Sequence, residues 1–234
     1  MPAGLTIING SNTVQIDENY KNLTVASKVA ISTTINPGGS NWGNYQHADV
    51  VYTSRYAEPP MVAVEASEAS FVMLLSASGN TFTYRIVFLL AGAAVAGTFW
   101  IFDQPPSTSS STFGLQVFDA QGRITFDALF RYSRVVGRMS VPFQNSGDAD
   151  QQFAVPAGRK YIAVQSVCGT YAQSNPISIP GQPPSFDRVI VMRMIRNQPG
   201  LLQTARFTFS YNMSFAMPSL RRSAEYTILD MTDA

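Results

Sequence analysis

"FGLQVFDAQGRITFDALFRYSRVVG" runs from Phe113 to Gly137, and a version of it opens the chain as "AGLTIINGSNTVQIDENYKNLTVAS", Ala3 to Ser27. A shift of 110 residues lays Gly114-Leu115 on Gly4-Leu5, Val117-Phe118 on Ile7-Ile8, Asp119 on Asn9, Ile124 on Val14, Phe126 on Ile16 and Asp127 on Asp17. Each segment reads as a β-hairpin: a short apolar run, a polar turn ("NGSN" or "DAQG"), then alternation of apolar and polar residues. Asn, Asp and Gly supply the turn conformations, and β-branched and aromatic residues supply the strands. Recurrence at so long a period predicts two copies of one domain rather than a short-period solenoid.

A second echo, "MVAVEAS" from Met61 and "YIAVQS" from Tyr161, recurs at a shift of 100. The two shifts differ as they do when loops, not strands, take insertions. The intervening segment "QPPSTSSST", Gln104 to Thr112, is rich in Pro, Ser and Thr and reads as a linker. The expected organisation is a domain over 1–104, a linker over 105–112 and a second domain over 113–234. Short strands follow one another with Gly/Pro turns between them, and no amphipathic helix of ten residues or more is evident. The fold class predicted is therefore all-β, two tandem β-sandwich domains.

Composition narrows the function. Asp, Glu, Lys and Arg make up 13% of the 234 residues, and the net charge is +1, so no basic field argues for nucleic acid. A surface of Ser, Thr, Asn and Gln suits a protein that lives in an assembly. One cysteine, Cys168, excludes an intramolecular disulfide and a cysteine-based zinc site; in "AVQSVCGTY" it reads as a small buried hydrophobe at a strand end. "MPAGLTII" has no basic start and no cleavable apolar stretch, so no secretory signal is expected. The uncharged run Ile86 to Phe102 reads as two buried strands joined through "AGAAVAG", not as a membrane span.

Catalytic patterns do not assemble. His47 is the only histidine, Asp49 lies near it, and no nucleophile elbow accompanies them; His47 reads as an exposed loop residue. Glu65 with Glu68, and Asp148 with Asp150, read as solvated carboxylates rather than a glycosidase pair or a complete calcium loop. "NPGGSNWGNY" lacks the Lys and following helix of a phosphate site. No catalytic residue, metal site or cofactor is expected. The segment "NWGNYQHADVVYTSRY" gathers Trp42, Tyr45, His47, Tyr52 and Tyr56. Aromatic faces beside amide donors suit stacking on sugars or packing on a partner protein, which makes these five the candidate receptor- or partner-binding residues.

The Phe113 segment resembles the opening hairpin of minor tail proteins of long-tailed bacteriophages, of the tail-tip and tail-fibre type. Their start, Gly-Leu-x-Val-(Phe/Tyr)-(Asp/Asn)-Ala-x-Gly-x-(Ile/Val)-x-Phe-(Asp/Ser) followed by a strand ending Arg-Val, maps onto Gly114, Leu115, Val117, Phe118, Asp119, Ala120, Gly122, Ile124, Phe126, Asp127, Arg134 and Val135. The first copy departs from it, with Gly10-Ser11-Asn12 in the turn and no Arg-Val. The resemblance implies a structural virion protein of the distal tail, made in the host cytoplasm and contributing no enzymatic residues. Expected partners are further copies of the chain, as a trimer, other tail proteins, and a host receptor or glycan. Two other readings stay open: a carbohydrate- or receptor-binding β-sandwich module, and a β-sandwich hydrolase. The missing signal weighs against a secreted binder, and the missing acid–base set weighs against the hydrolase.

Overall fold

The computed structural model describes residues 7–8, 14–16, 22–36, 45–88, 93–108, 114–142, 149–178, 180, 183 and 185–232. All regular structure in them is strand. The first half contributes β1 (Ile7–Ile8), β2 (Val14–Ile16), β3 (Thr24–Ser32), β4 (Thr34–Asn36), β5 (Tyr45–Thr53), β6 (Met61–Glu65), β7 (Ser70–Ser78), β8 (Thr81–Phe88) and β9 (Ala96–Asp103). The second contributes β10 (Gln116–Phe118), β11 (Ile124–Asp127), β12 (Arg134–Val141), β13 (Gln152–Ala154), β14 (Tyr161–Val167), β15 (Thr170–Ile177), β16 (Ser185–Gln198), β17 (Leu201–Met213), β18 (Leu220–Arg222) and β19 (Ala224–Asp230). The all-β class read from the turn spacing is what the chain adopts. The run Ile86 to Phe102 holds the end of β8 and most of β9, and no helix among the described residues is long and apolar enough to cross a membrane.

Two hairpins stand alone, β1–β2 and β10–β11, and two three-stranded sheets have the orders β3–β9–β6 and β12–β19–β14. The largest sheet crosses both halves in the order β13–β17–β16–β7–β8–β5–β4, with β15 on β16 and β18 on β15. Strand β16 makes the join. Its Ser185–Met192 stretch pairs with β15, and beyond it Ile195 pairs with Ser70 of β7, with the Asn197 N–H donating to the Ala66 carbonyl at 2.9 Å.

Strand parity sorts the side chains into cores, because alternate residues face opposite sides of a sheet. In the first half Ile31, Val64, Phe99 and Ile101 of the small sheet meet Ala48, Val50, Phe82, Tyr84, Ile86 and Phe88 of the large one. In the second, Met139, Val141, Ala163, Tyr226 and Ile228 meet Ile195 and Leu202. Two further cores fasten the halves together. Ala63, Trp100 and Phe102 pack on Ile162, Val164 and Leu229 between the small sheets, and Phe71 and Val87 pack with Met194 and Phe207 across the β7–β16 join.

Several strand pairings recur in the two halves with the same register. Ile7 pairs with Ile16 and Ile8 with Val14 around a bulge; 110 residues on, Val117 pairs with Phe126 and Phe118 with Ile124 around a bulge in the same place. The β10–β11 turn closes because Asp119 Oδ1 accepts the N–H groups of Gln121 and Arg123, both at 2.9 Å, while Gly122 takes φ 75°. In the small sheets, Thr24–Asp103, Val25–Phe102, Ser27–Ile101 and Lys28–Trp100 answer to Arg134–Asp230, Val135–Leu229, Gly137–Ile228 and Arg138–Thr227, again with the bulge at one position. The starts of β3 and β12 also pair with each other: Thr24 bridges Tyr132, and the Ser133 N–H donates to the carbonyl of Leu23, its own counterpart at a shift of 110, at 3.0 Å.

The echo at Met61 is one residue out of register. Met61 pairs with Phe102, whose counterpart Leu229 pairs with Ile162, so the structural shift is 101 and Ala63 answers to Val164 rather than Ala163. A slip of one turns every side chain to the other face. Ala63 and Val164 indeed share the core between the small sheets, whereas Ala163 points into the second half's own core. Strand β15 continues to Ile177 through Pro176. Proline is accommodated there because β18 covers β15 only at Thr170 to Ala172, leaving that edge without a ladder partner among the described residues.

Candidate functional site

The four described residues of the aromatic segment, Tyr45, His47, Tyr52 and Tyr56, do not share one face. Strand β5 begins at Tyr45, so His47 sits in a strand rather than an exposed loop, on the face that carries Tyr45, with ring centroids 5.5 Å apart. Tyr45 is 8% exposed and belongs to the core across the β7–β16 join. Tyr52 lies on the opposite face of the same strand, and its hydroxyl donates to Asp103 Oδ2 at 3.0 Å. Tyr56 follows the strand and donates to the Pro105 carbonyl at 3.4 Å. Trp42 lies outside the described residues. The sequence proximity was real; the pleat divides it.

What Tyr52 and Tyr56 serve is the exit of the first half. Asp103 ends β9, is 3% exposed, and accepts from Tyr52, from Ser54 Oγ (3.1 Å) and the Arg55 N–H (2.9 Å) on Oδ2, and from the Gln104 N–H (2.7 Å) on Oδ1. Arg55 Nη1 donates to the Gln104 carbonyl at 2.6 Å. A buried carboxylate is tolerated when its lone pairs are met in this way. Burial, and then the bond to Asp103, push the Tyr52 phenol up to about 12.

Apolar surface offered to solvent is found elsewhere. Phe215 (59% exposed) and Met217, between β17 and β18, and Leu220, which begins β18, stand out from the surface. Strand β17 ends at Met213, and the segment Ser214 to Ser219 that follows it is not strand. Its backbone is nevertheless held. Arg188 is buried on β16, and its Nη1 donates to the carbonyls of Met217 (3.2 Å) and Pro218 (2.8 Å) and to Ser174 Oγ (3.2 Å), while the Met217 N–H also donates to Ser174 Oγ at 3.2 Å. Leu74 and Leu75 on β7, Val51 on β5, and Leu115, Phe118, Leu129, Val135 and Val136 around β10–β12 are exposed as well. Sequence reading missed these because a strand residue's exposure depends on which neighbour covers it.

The polar candidates are engaged in packing. Glu65 Oε2 accepts the indole N–H of Trp100 at 3.0 Å and pairs with Lys160 at 2.9 Å. The Lys28 and Lys160 ammoniums lie 4.5 and 4.9 Å from the Trp100 ring centroid. Asp49 takes two hydrogen bonds from Arg85, at 2.8 and 2.7 Å, and these hold its carboxyl below the usual range. Asp150 pairs with the fully buried Arg193 at 2.8 Å; Asp148 lies outside the described residues. Burial raises the Cys168 thiol. Among the described residues no three His, Cys, Asp or Glu side chains converge as a metal site. No protein-family model, curated protein or solved structure matches this chain.

Proposed function

We propose that the chain is a structural protein of a bacteriophage tail tip or tail fibre, built from two copies of one β-sandwich unit divided near 105–112, without catalytic activity, and assembling with further copies and other tail proteins. The repeated register carries the duplication: bulges recur at one place in both hairpins and in both small sheets, which chance similarity between hairpins does not explain. The assembly role is supported by the low charge and by an apolar segment whose side chains are exposed while a buried arginine fixes its backbone. Surfaces of that kind mark interfaces, and fixing them in advance lowers the ordering cost of association. The phage assignment rests on the Gly114 to Val135 motif.

Contact with the other chains of the particle is the test. A structure of the assembled tail is expected to show Phe215, Met217 and Leu220 covered, with the chain arranged as a trimer. Total buried area per chain below about 1,000 Å² would sink the assembly reading. Turnover of polysaccharide, ester or peptide substrates, lost on substitution of His47 or Glu65, would replace it with an enzyme.

A further inference from the structure

The two small sheets share a register but not their contents. The cross-strand row Lys28–Trp100–Ala63 of the first answers to Arg138–Thr227–Val164 of the second. In the first row the indole fills the space above the sheet, 1% exposed, with two lysine ammoniums over its ring and its N–H on a carboxylate. In the second row the central residue is a threonine. Above it lies an open groove of about 380 Å³, lined by Arg138, Ser140, Ser166, Glu225 and Thr227, in the size range of small ligand sites. Ser166 Oγ and Thr227 Oγ1 share a hydrogen bond at 3.0 Å across its floor. Arg138 and Glu225 are exposed at its rim, and neither has an ion-pair partner among the described residues.

We infer that this groove seats an indole side chain supplied by another polypeptide, with the ring against Arg138 and the N–H directed to Glu225. Arg138 occupies the register position of Lys28, and a guanidinium stacks on an aromatic face more readily than an ammonium. Glu225 offers the acceptor that Glu65 offers Trp100, and an indole N–H is a donor with no acceptor role. A saccharide fits less well: the aromatic residue in the lining, Tyr226, is 1% exposed and offers no face for its ring to lie on. The inference rests on the assembly reading only in taking a protein as the source of the ring.

The test is a titration of the ¹⁵N-labelled full chain with N-acetyl-tryptophanamide, followed by amide shifts. Saturable shifts at Arg138, Ser140, Ser166, Glu225 and Thr227 are expected. Arg138→Ala should weaken the apparent affinity about two- to fivefold, the loss of one exposed cation–π contact. Thr227→Trp, which supplies an indole in cis, should abolish the shifts; should that variant fail to fold, Arg138→Ala and Glu225→Gln decide. Saturable shifts from N-acetylglucosamine or galactose, with none from the tryptophan amide, would overturn the inference in favour of a saccharide site. Shifts from no probe would overturn it outright. Because the titration needs no particle, its failure leaves the buried-area measurement standing, and the converse holds too.

Discussion

Set side by side, the sheets β3–β9–β6 and β12–β19–β14 have one strand order, one bulge position and an aspartate ending each central strand, yet one face is closed by Trp100 and the other is open above Thr227. Backbone pairing and side-chain filling are thus separable. Register is fixed where a bulge and the inward apolar parity leave no alternative. On the other face the contents differ: Trp100 is buried in the core between the small sheets, whereas Thr227 lies beneath an open groove.

The largest effect expected from this difference is on stability. Trp100→Ala should destabilise the fold by about 3–5 kcal/mol, as removal of a buried Trp does, and Thr227→Ala should fall below about 1 kcal/mol. Urea unfolding of both variants measures it, and equal losses would break the comparison. Next comes the aspartate pair. Asp103→Ala leaves the Tyr52, Ser54, Arg55 and Gln104 donors without their acceptor and should cost about 2–3 kcal/mol. Asp230→Ala should cost less, since Asp230 is held by Thr232, two residues away, and by the exposed Arg159.

pH sharpens the same contrast. The Tyr52 phenol, raised in the folded state to about 12, contributes stability that is complete below its unfolded value near 10 and is lost as pH rises towards 12. Tyr52→Phe should flatten that alkaline limb in thermal melts. At the other end, the carboxyls of Asp49, lowered by Arg85, and Asp230, lowered by Thr232, contribute stability above about pH 4 that disappears as pH falls further. Asp49→Asn should shrink the acid loss; an unchanged acid limb in that variant would show that Arg85 does not act through it. The smallest effect belongs to the lysines. Lys28→Met and Lys160→Met should each cost about 0.5–1 kcal/mol, and Arg138→Met, with no ring beneath it, should lie within about 0.5 kcal/mol of zero.

The hairpins were legible because their turn residues and alternation occupy one continuous segment, so a single shift aligned both strands. The same shift of 110 carries β3 onto β12. The central strands were not found as counterparts, although Ile101-Phe102-Asp103 and Ile228-Leu229-Asp230 stand in register, because the echo is three residues long and the shift has grown to 127. The aromatic segment is divided for a different reason. Nearness in sequence does not survive a strand that points Tyr45 and Tyr52 to opposite faces. The exposed side chains at Phe215 and Met217 carried no signal at all, since only the path of the preceding strand decides whether they are covered.

Gly97, near the start of β9, and Gly169, between β14 and β15, lie where the chain passes between the large sheet and a small one. A Cβ on Gly97 would come within 3.2 Å of the Ala66 Cβ, and one on Gly169 within 2.7 Å of the Ala224 Cβ. By register Gly97 answers to Ala224, so in one half the central strand gives way, and in the other its neighbour does. The narrow point is made by main chain as well as side chain: a Cβ on Gly97 would lie 2.9 Å from the Glu65 carbonyl oxygen and one on Gly169 2.7 Å from the Ala224 nitrogen, so an alanine at either glycine would force the neighbouring strand to move, and trimming the facing alanine to glycine would not make room for it.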